Sequence, residues 1–165
     1  MLFRSDGRTE TQVALSPIGV AARVGAPKPD ISTPAALKAA LLAAKSVAYS
    51  DSVSGRYVSG QLFDKLGIAA LMRGKAREIP GTPVAEIVAE GGADLGFQEV
   101  AEILPVHGVT FVGKIPDQVQ LITPFAAAVA SRSEHPQEAA ALVQSLKDPA
   151  ARAALLKNGL EPPRP

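Results

Sequence analysis

Cysteine is absent from the 165-residue chain, which excludes a disulfide framework, thiolate metal sites and cysteine catalysis. That absence fits an oxidising compartment without establishing one. Charge of one sign is missing too: 17 lysines and arginines stand against 16 acids, a formal net charge of +1. No broad field exists to recruit nucleic acid or an anionic membrane, which leaves a small charged ligand held by local geometry. Long apolar runs are also lacking. The longest, AALKAALLAAKSVAY, is interrupted by Lys38 and Lys45, and MLFRSDGRTE has no apolar stretch of signal-peptide length. As written, nothing in the chain directs export or membrane insertion. LFRS is also what the end of a common sequencing adapter encodes in one frame, so residues 1 to 5 read either as an assembly scar or as an ordinary start.

Catalytic and metal motifs are equally scarce. His107 and His135 lie 28 positions apart with no HExxH or related ligand spacing, which favours surface or loop roles over metal binding. Ser54 and Tyr57 resemble part of a serine-tyrosine-lysine dehydrogenase site, but the lysine position is Gln61. No GxSxG elbow surrounds Ser52, Ser54 or Ser59, and no dinucleotide or phosphate-loop glycine pattern occurs. Asp94, Glu99 and Glu102 gather near a strand end, where they read as a solvated rim or as an acid-base pair, the rim being preferred. No cofactor is expected, and the reading at this point is of a protein that is not an enzyme.

What is present is a globular composition, 47% hydrophobic and 20% charged, sufficient for one sizeable core or two small lobes. Thr33-Pro34, Thr82-Pro83 and Asp148-Pro149 each pair a capping side chain with a proline suited to the first helical position. Leu37, Ala40, Leu41 and Ala44 then fall on one helical face, as do Val84, Ile87 and Val88. Ala139, Leu142, Val143 and Leu146 form a further stripe, and Leu155 and Leu156 precede the stop signal Asn158-Gly159, so the tail predicts a helical hairpin. Short apolar runs at 46–50, 93–98 and 109–113 predict strands alternating with helices, hence an α/β fold with a mainly parallel sheet. Two longer extended segments, 16–25 and 120–131, each contain proline, which argues against a central paired strand and for connections between lobes. The final EPPRP is expected to fray.

One turn stands apart. YSDSVSGRY, residues 49 to 57, enters a helix without proline, so its early amides stay available. A helix N-terminus carries unpaired N–H groups and a partial positive charge, which together bind oxyanions. Ser52 and Ser54 could add hydroxyl donors, Gly55 would let a ligand approach the amides, and Arg56 could turn inward to contribute charge-assisted bonds. The competing reading is a serine-capped helix with an exposed arginine, and spacing alone favours that cap.

The stretches IGVAARVGAPKPDISTPAALKAALLAAKSVAYSDSVSGRY, LFDKLGI, VAEGGADLGFQEVAEILPVHGVTFVG and KDPAARAALLKNGLEP resemble, in order, the C-terminal two-thirds of molybdate-type periplasmic substrate-binding proteins of ABC importers. The resemblance covers about residue 16 to residue 163. It implies a two-lobed periplasmic-binding-protein-like fold, with residues 27–117 as a complete second lobe and the first lobe partial. On that division 1–26 is an N-terminal segment with the first crossover strand, and 118–165 is the returning crossover with C-terminal helices. It further implies an extracytoplasmic protein, truncated at its N-terminus, that binds a small anion in a cleft and partners an ABC permease. The family's contacts carry over to Ser54 and Gly55, to the vicinity of Gln98, and to the vicinity of Thr123. Gln98 and Thr123 depart from the molybdate pattern, where an apolar residue's backbone and a tyrosine serve, which leaves other oxyanions or small organic acids open. A ligand-sensing effector domain of a transcription regulator and an enzyme on a similar two-lobed fold are the alternatives.

Overall fold

The computed structural model describes residues 6–163, so the suspected scar at 1 to 5 and the last residues of EPPRP lie outside the described residues. The chain divides into two compact units, one formed by Pro17–Leu121 and the other by the chain up to Ser16 and from Ile122 onward.

In the larger unit the sheet is ordered β3 (Ala76–Ile79), β2 (Val47–Ser50), β4 (Leu95–Glu99), β1 (Thr11–Arg23), β5 (Val109–Lys114). β2 pairs parallel with β3 and β4, whereas β1 pairs antiparallel with β4 and β5. The sheet is therefore mixed, and the proline-bearing segment predicted to lie outside its centre is central. Pro17 explains how. The paired register of β1 begins at Ile18 against Glu99 and at Gly19 against Lys114, so the residue without an N–H sits just ahead of the ladder. β3, absent from the sequence-based expectation, is a short edge strand whose Arg77 and Glu78 face solvent.

α1 (Pro34–Ala43) forms as the spacing predicts. Thr33 Oγ1 accepts from the Ala36 amide at 3.1 Å, and Leu37 and Leu41 are fully buried. At its other end Lys75 Nζ donates to the carbonyls of Leu41, Leu42 and Ala44 at 2.7–2.9 Å, satisfying acceptors that a helix leaves open. α2 (Val53–Tyr57) continues through a π-helical turn, Val58–Leu62, into α3 (Phe63–Lys65), with α4 (Ala69–Met72) following. α1, α2 and α3 cover one sheet face, where Val47, Leu95, Phe97, Tyr57, Leu62 and Phe63 form the main core. α5 (Val84–Ala89) packs on Ala48 and Ile79 of the other face, and α6 (Val100–Ile103) contributes Ile103 to a small cluster with Ala21 and Ala85.

The start of α5 differs from the sequence expectation. Pro83 occupies the cap position instead of the first helical turn, and Thr82 supplies no cap. The acceptor comes from far along the chain: Gln98 Oε1 receives the Ala85 amide at 2.9 Å.

In the smaller unit β6 (Ile122–Ala127) pairs with β1, and α7 (Pro136–Ser145) and α8 (Pro149–Lys157) follow. α7 also begins on proline, after His135. α8 ends in a Schellman arrangement: Leu160 N–H donates to Leu155 O at 3.0 Å and Gly159 N–H to Leu156 O at 3.2 Å, with Gly159 at φ +80°. Glu161 does not fray; it exchanges two backbone hydrogen bonds of 2.8 Å with Leu15.

Candidate functional site

Parallel strands place their carboxyl ends together, and loops there precede helix N-termini, the usual location of ligands in α/β folds. In this chain that edge carries Ser50 at the end of β2 and Gln98 near the end of β4. The register Tyr49 to Phe97 makes Ser50 and Gln98 the next residues along adjacent strands, so their side chains share a sheet face.

Ser50, Ser52 and Ser54 form a triangle of hydroxyls. The oxygens are 2.7 Å apart between Ser50 and Ser52, 2.9 Å between Ser52 and Ser54, and 3.5 Å between Ser50 and Ser54. Ser50 and Ser54 are buried and Ser52 is exposed, so the triangle opens to solvent at one corner. Ser52 stands at the cap position of α2 with extended backbone, yet its side chain makes no capping bond. The serines bond to one another and leave the helix entrance without a side-chain cap.

Gly55 has a different reason from the one expected. A Cβ there would collide with the carbonyl oxygen of Ser50, so glycine is required for the helix to pack on the strand end that it follows. Arg56 is exposed, and its Nη1 donates to the Asp51 carbonyl at 2.7 Å, which holds it on its own turn. The Asp51 carboxylate accepts from the Gly81 amide at 3.3 Å.

Gln98 is 5% exposed. Its oxygen is held by Ala85, and no described residue accepts from its carboxamide nitrogen. Thr123, on β6 of the smaller unit, has a buried hydroxyl oxygen with no hydrogen-bond partner among the described residues. The structure therefore groups Ser52, Ser54, Gly55 and Arg56 on one turn of the larger unit with Gln98 on the neighbouring strand, while Thr123 belongs to the other unit. Ser50, which completes the hydroxyl triangle, was missed by sequence reasoning because it ends a strand and was counted with the strand.

The acids do not converge. Asp94 precedes β4 and accepts from the Lys45 amide at 2.7 Å, whereas Glu99 ends that strand and Glu102 is exposed on α6. Among the described residues no group of three or more histidines or acids is arranged to hold a metal ion. No helix there is long and apolar enough to cross a membrane.

Comparison with known proteins adds family and kinship. A family model described as bacterial extracellular solute-binding protein matches residues 4–161. An aconitate isomerase from Pseudomonas sp. is 48% identical over 145 residues, 88% of this chain and 55% of that protein. The chain thus spans about half the length of this curated relative. The substrate-binding domain of a molybdenum ABC transporter from Clostridium difficile superposes with a TM-score of 0.80 at 14% identity, covering 97% of this chain and 69% of the other. A phosphate ABC transporter substrate-binding protein from Clostridium perfringens, with bound phosphate, gives 0.61 at 12% identity over 94% and 72%. These structures share the fold, a mixed α/β architecture of the periplasmic-binding-protein type. The aconitate isomerase corrects one expectation: the reading of the chain as not an enzyme rested on missing motifs, and a relative nearly half identical carries an enzyme's name. An isomerase need carry neither a nucleophile elbow nor a metal cluster, so the absence of those motifs does not exclude one. With its family matched from residue 4 to residue 161, the chain belongs to the bacterial extracellular solute-binding proteins.

Proposed function

We propose that this chain supplies an anion-holding wall in a protein that binds a small polycarboxylate and isomerises it, as the name of its aconitate isomerase relative describes for that protein. The observation that carries the reading is the hydroxyl triangle of Ser50, Ser52 and Ser54 at a helix entrance that no side chain caps. Its hydroxyl protons circulate among the three oxygens while the site is free, and they turn toward an arriving carboxylate without any backbone change. The amides at the start of α2 and the positive end of that helix reinforce them. Gln98 adds a carboxamide donor from β4.

Shifting a carbon–carbon double bond in such an acid removes one proton from a methylene and returns one at the far allylic carbon, with no net oxidation. Negative charge spreads onto a carboxylate between the two steps. Hydroxyl and amide donors gathered on one turn stabilise that charge, which is the contribution assigned to Ser52, Ser54 and the α2 entrance. Arg56, fastened to Asp51, belongs to the shape of the turn.

A second reading follows from the family description and the fold shared with transporter domains: an extracytoplasmic component that binds an oxyanion or small organic anion and delivers it to an ABC permease. Both readings begin with anion capture, and one experiment separates them. The protein is incubated with cis-aconitate and with trans-aconitate, and isomer composition is followed by proton NMR beside thermal shifts with each acid, molybdate and sulfate. Appearance of the other isomer together with stabilisation by the tricarboxylates is expected. Stabilisation by molybdate alone, with no isomer formed, would establish the second reading over the first.

A further inference from the structure

Resting on the anion-site reading above, we infer that Gln98 is the specificity-determining donor of this site: its carboxamide is locked in one orientation, so that it offers hydrogens and never a lone pair to the ligand. The orientation follows from chemistry. The Ala85 amide can only donate, so the atom 2.9 Å from it has to be the carboxamide oxygen. The nitrogen is then the end that Ala85 does not engage. No described residue accepts from it, yet it is not among the polar atoms sealed from solvent without a partner, a condition that Thr123 Oγ1 alone meets among the described residues. A side chain 5% exposed thus keeps its donor end open beside Ser50 on the adjacent strand.

An amide free to flip would accept from a ligand hydroxyl as readily as it donates to a carboxylate. One pinned by α5 discriminates: it bonds most strongly to an ionised carboxylate, more weakly to a hydroxyl or an un-ionised acid, and not at all to an ammonium group at the same place. The cap of α5 and the selection of the ligand are therefore one contact read from its two ends.

The test is Gln98→Glu in the full chain, with trans-aconitate as the probe. A glutamate oxygen still accepts from Ala85, so the helix start is retained, while the donor becomes an acceptor carrying charge. Binding by calorimetry at pH 8 is expected to weaken at least about tenfold, the loss of one charge-assisted hydrogen bond. In the wild-type protein the Gln98 side-chain amide resonances in a proton–nitrogen spectrum shift on adding trans-aconitate, a readout independent of whether the variant folds. Unchanged affinity in a folded Gln98→Glu variant, or wild-type Gln98 resonances that do not move at saturation, would overturn the inference and leave the anion-site reading standing. If the wild-type protein binds no carboxylate at all, both fall together.

Discussion

Tyr57 donates its hydroxyl to the carbonyl of Val119 at 2.6 Å, joining the α2 turn to a residue 62 positions away. Tyr57 is buried, and Lys65 Nζ in turn donates to the same phenolic oxygen at 3.1 Å. Replacing Tyr57 by Phe keeps the ring in the core and leaves the Val119 carbonyl without this donor. Urea unfolding is expected to show a loss of about 1–2 kcal/mol, the usual cost of stranding a buried acceptor. No change in midpoint would mean that the ring alone supports the turn.

Gly55→Ala tests the packing of α2 on β2. The added carbon meets the Ser50 carbonyl oxygen, and that backbone cannot move without disturbing its pairing with Ile79. A destabilisation of roughly 3 kcal/mol is expected, at the upper end for overpacking. A variant as stable as the parent would show that the strand end yields, and with it the serine triangle.

Ser52→Ala distinguishes a cap from a ligand donor. A capping serine costs about 0.5–2 kcal/mol when lost. Ser52 makes no capping bond but shares hydroxyl bonds with Ser50 and Ser54, which stay within 3.5 Å of each other without it, so thermal unfolding without ligand is expected to show a loss of only about 0.5–1 kcal/mol. Affinity for trans-aconitate falls in the same variant.

Lys75→Met removes the ammonium that reaches three carbonyls at the end of α1. The aliphatic stem is kept, so the loss reports the capping bonds and the helix-end charge. About 1–2 kcal/mol is expected in denaturant unfolding, with a smaller difference from the parent at high salt.

Arg8 holds the Asp6 carboxyl below its ordinary value of 3.8, first through a side-chain hydrogen bond and then through its backbone amide. A carboxyl depressed in the folded state adds stability at neutral pH that disappears as pH falls through the folded value. In an NMR titration Arg8→Ala is expected to move the Asp6 midpoint upward; an unmoved midpoint would assign the shift elsewhere.

Local signals carried the sequence reading where local contacts decide the structure. Thr33 caps α1, Leu37 and Leu41 enter the core, and Asn158-Gly159 closes α8 as their types foretell. Errors arose where a residue's partner lies far along the chain. Pro17 excludes an N–H from a ladder, but only the register shows that the ladder starts one residue later. Thr82-Pro83 has the form of a cap, and Gln98 does the capping. The stripe Ala139, Leu142, Val143 and Leu146 does form a helix, yet Val143 alone of these is buried, since periodicity states which face is apolar and not what covers it. At the site, residue types were legible while their geometry was not: nothing in the spacing of Ser50, Ser52 and Ser54 shows that they bond to each other.

Where the chain enters and leaves the larger unit, Gln120 behaves like a piece of backbone. Its carboxamide accepts from the Ile18 amide at 2.9 Å and returns a hydrogen to the Ile18 carbonyl at 2.9 Å, the exchange that two opposed residues make in an antiparallel ladder. A second hydrogen goes to the Ile115 carbonyl at 3.2 Å. A rung built from a side chain obeys different rules from one built from peptides. It is set by the side-chain torsions of one residue instead of by strand register, and the Leu121 amide donates to the same carboxamide oxygen at 3.1 Å. The join between Ile18 and the segment ending at Gln120 thus depends on a single replaceable amide within the larger unit.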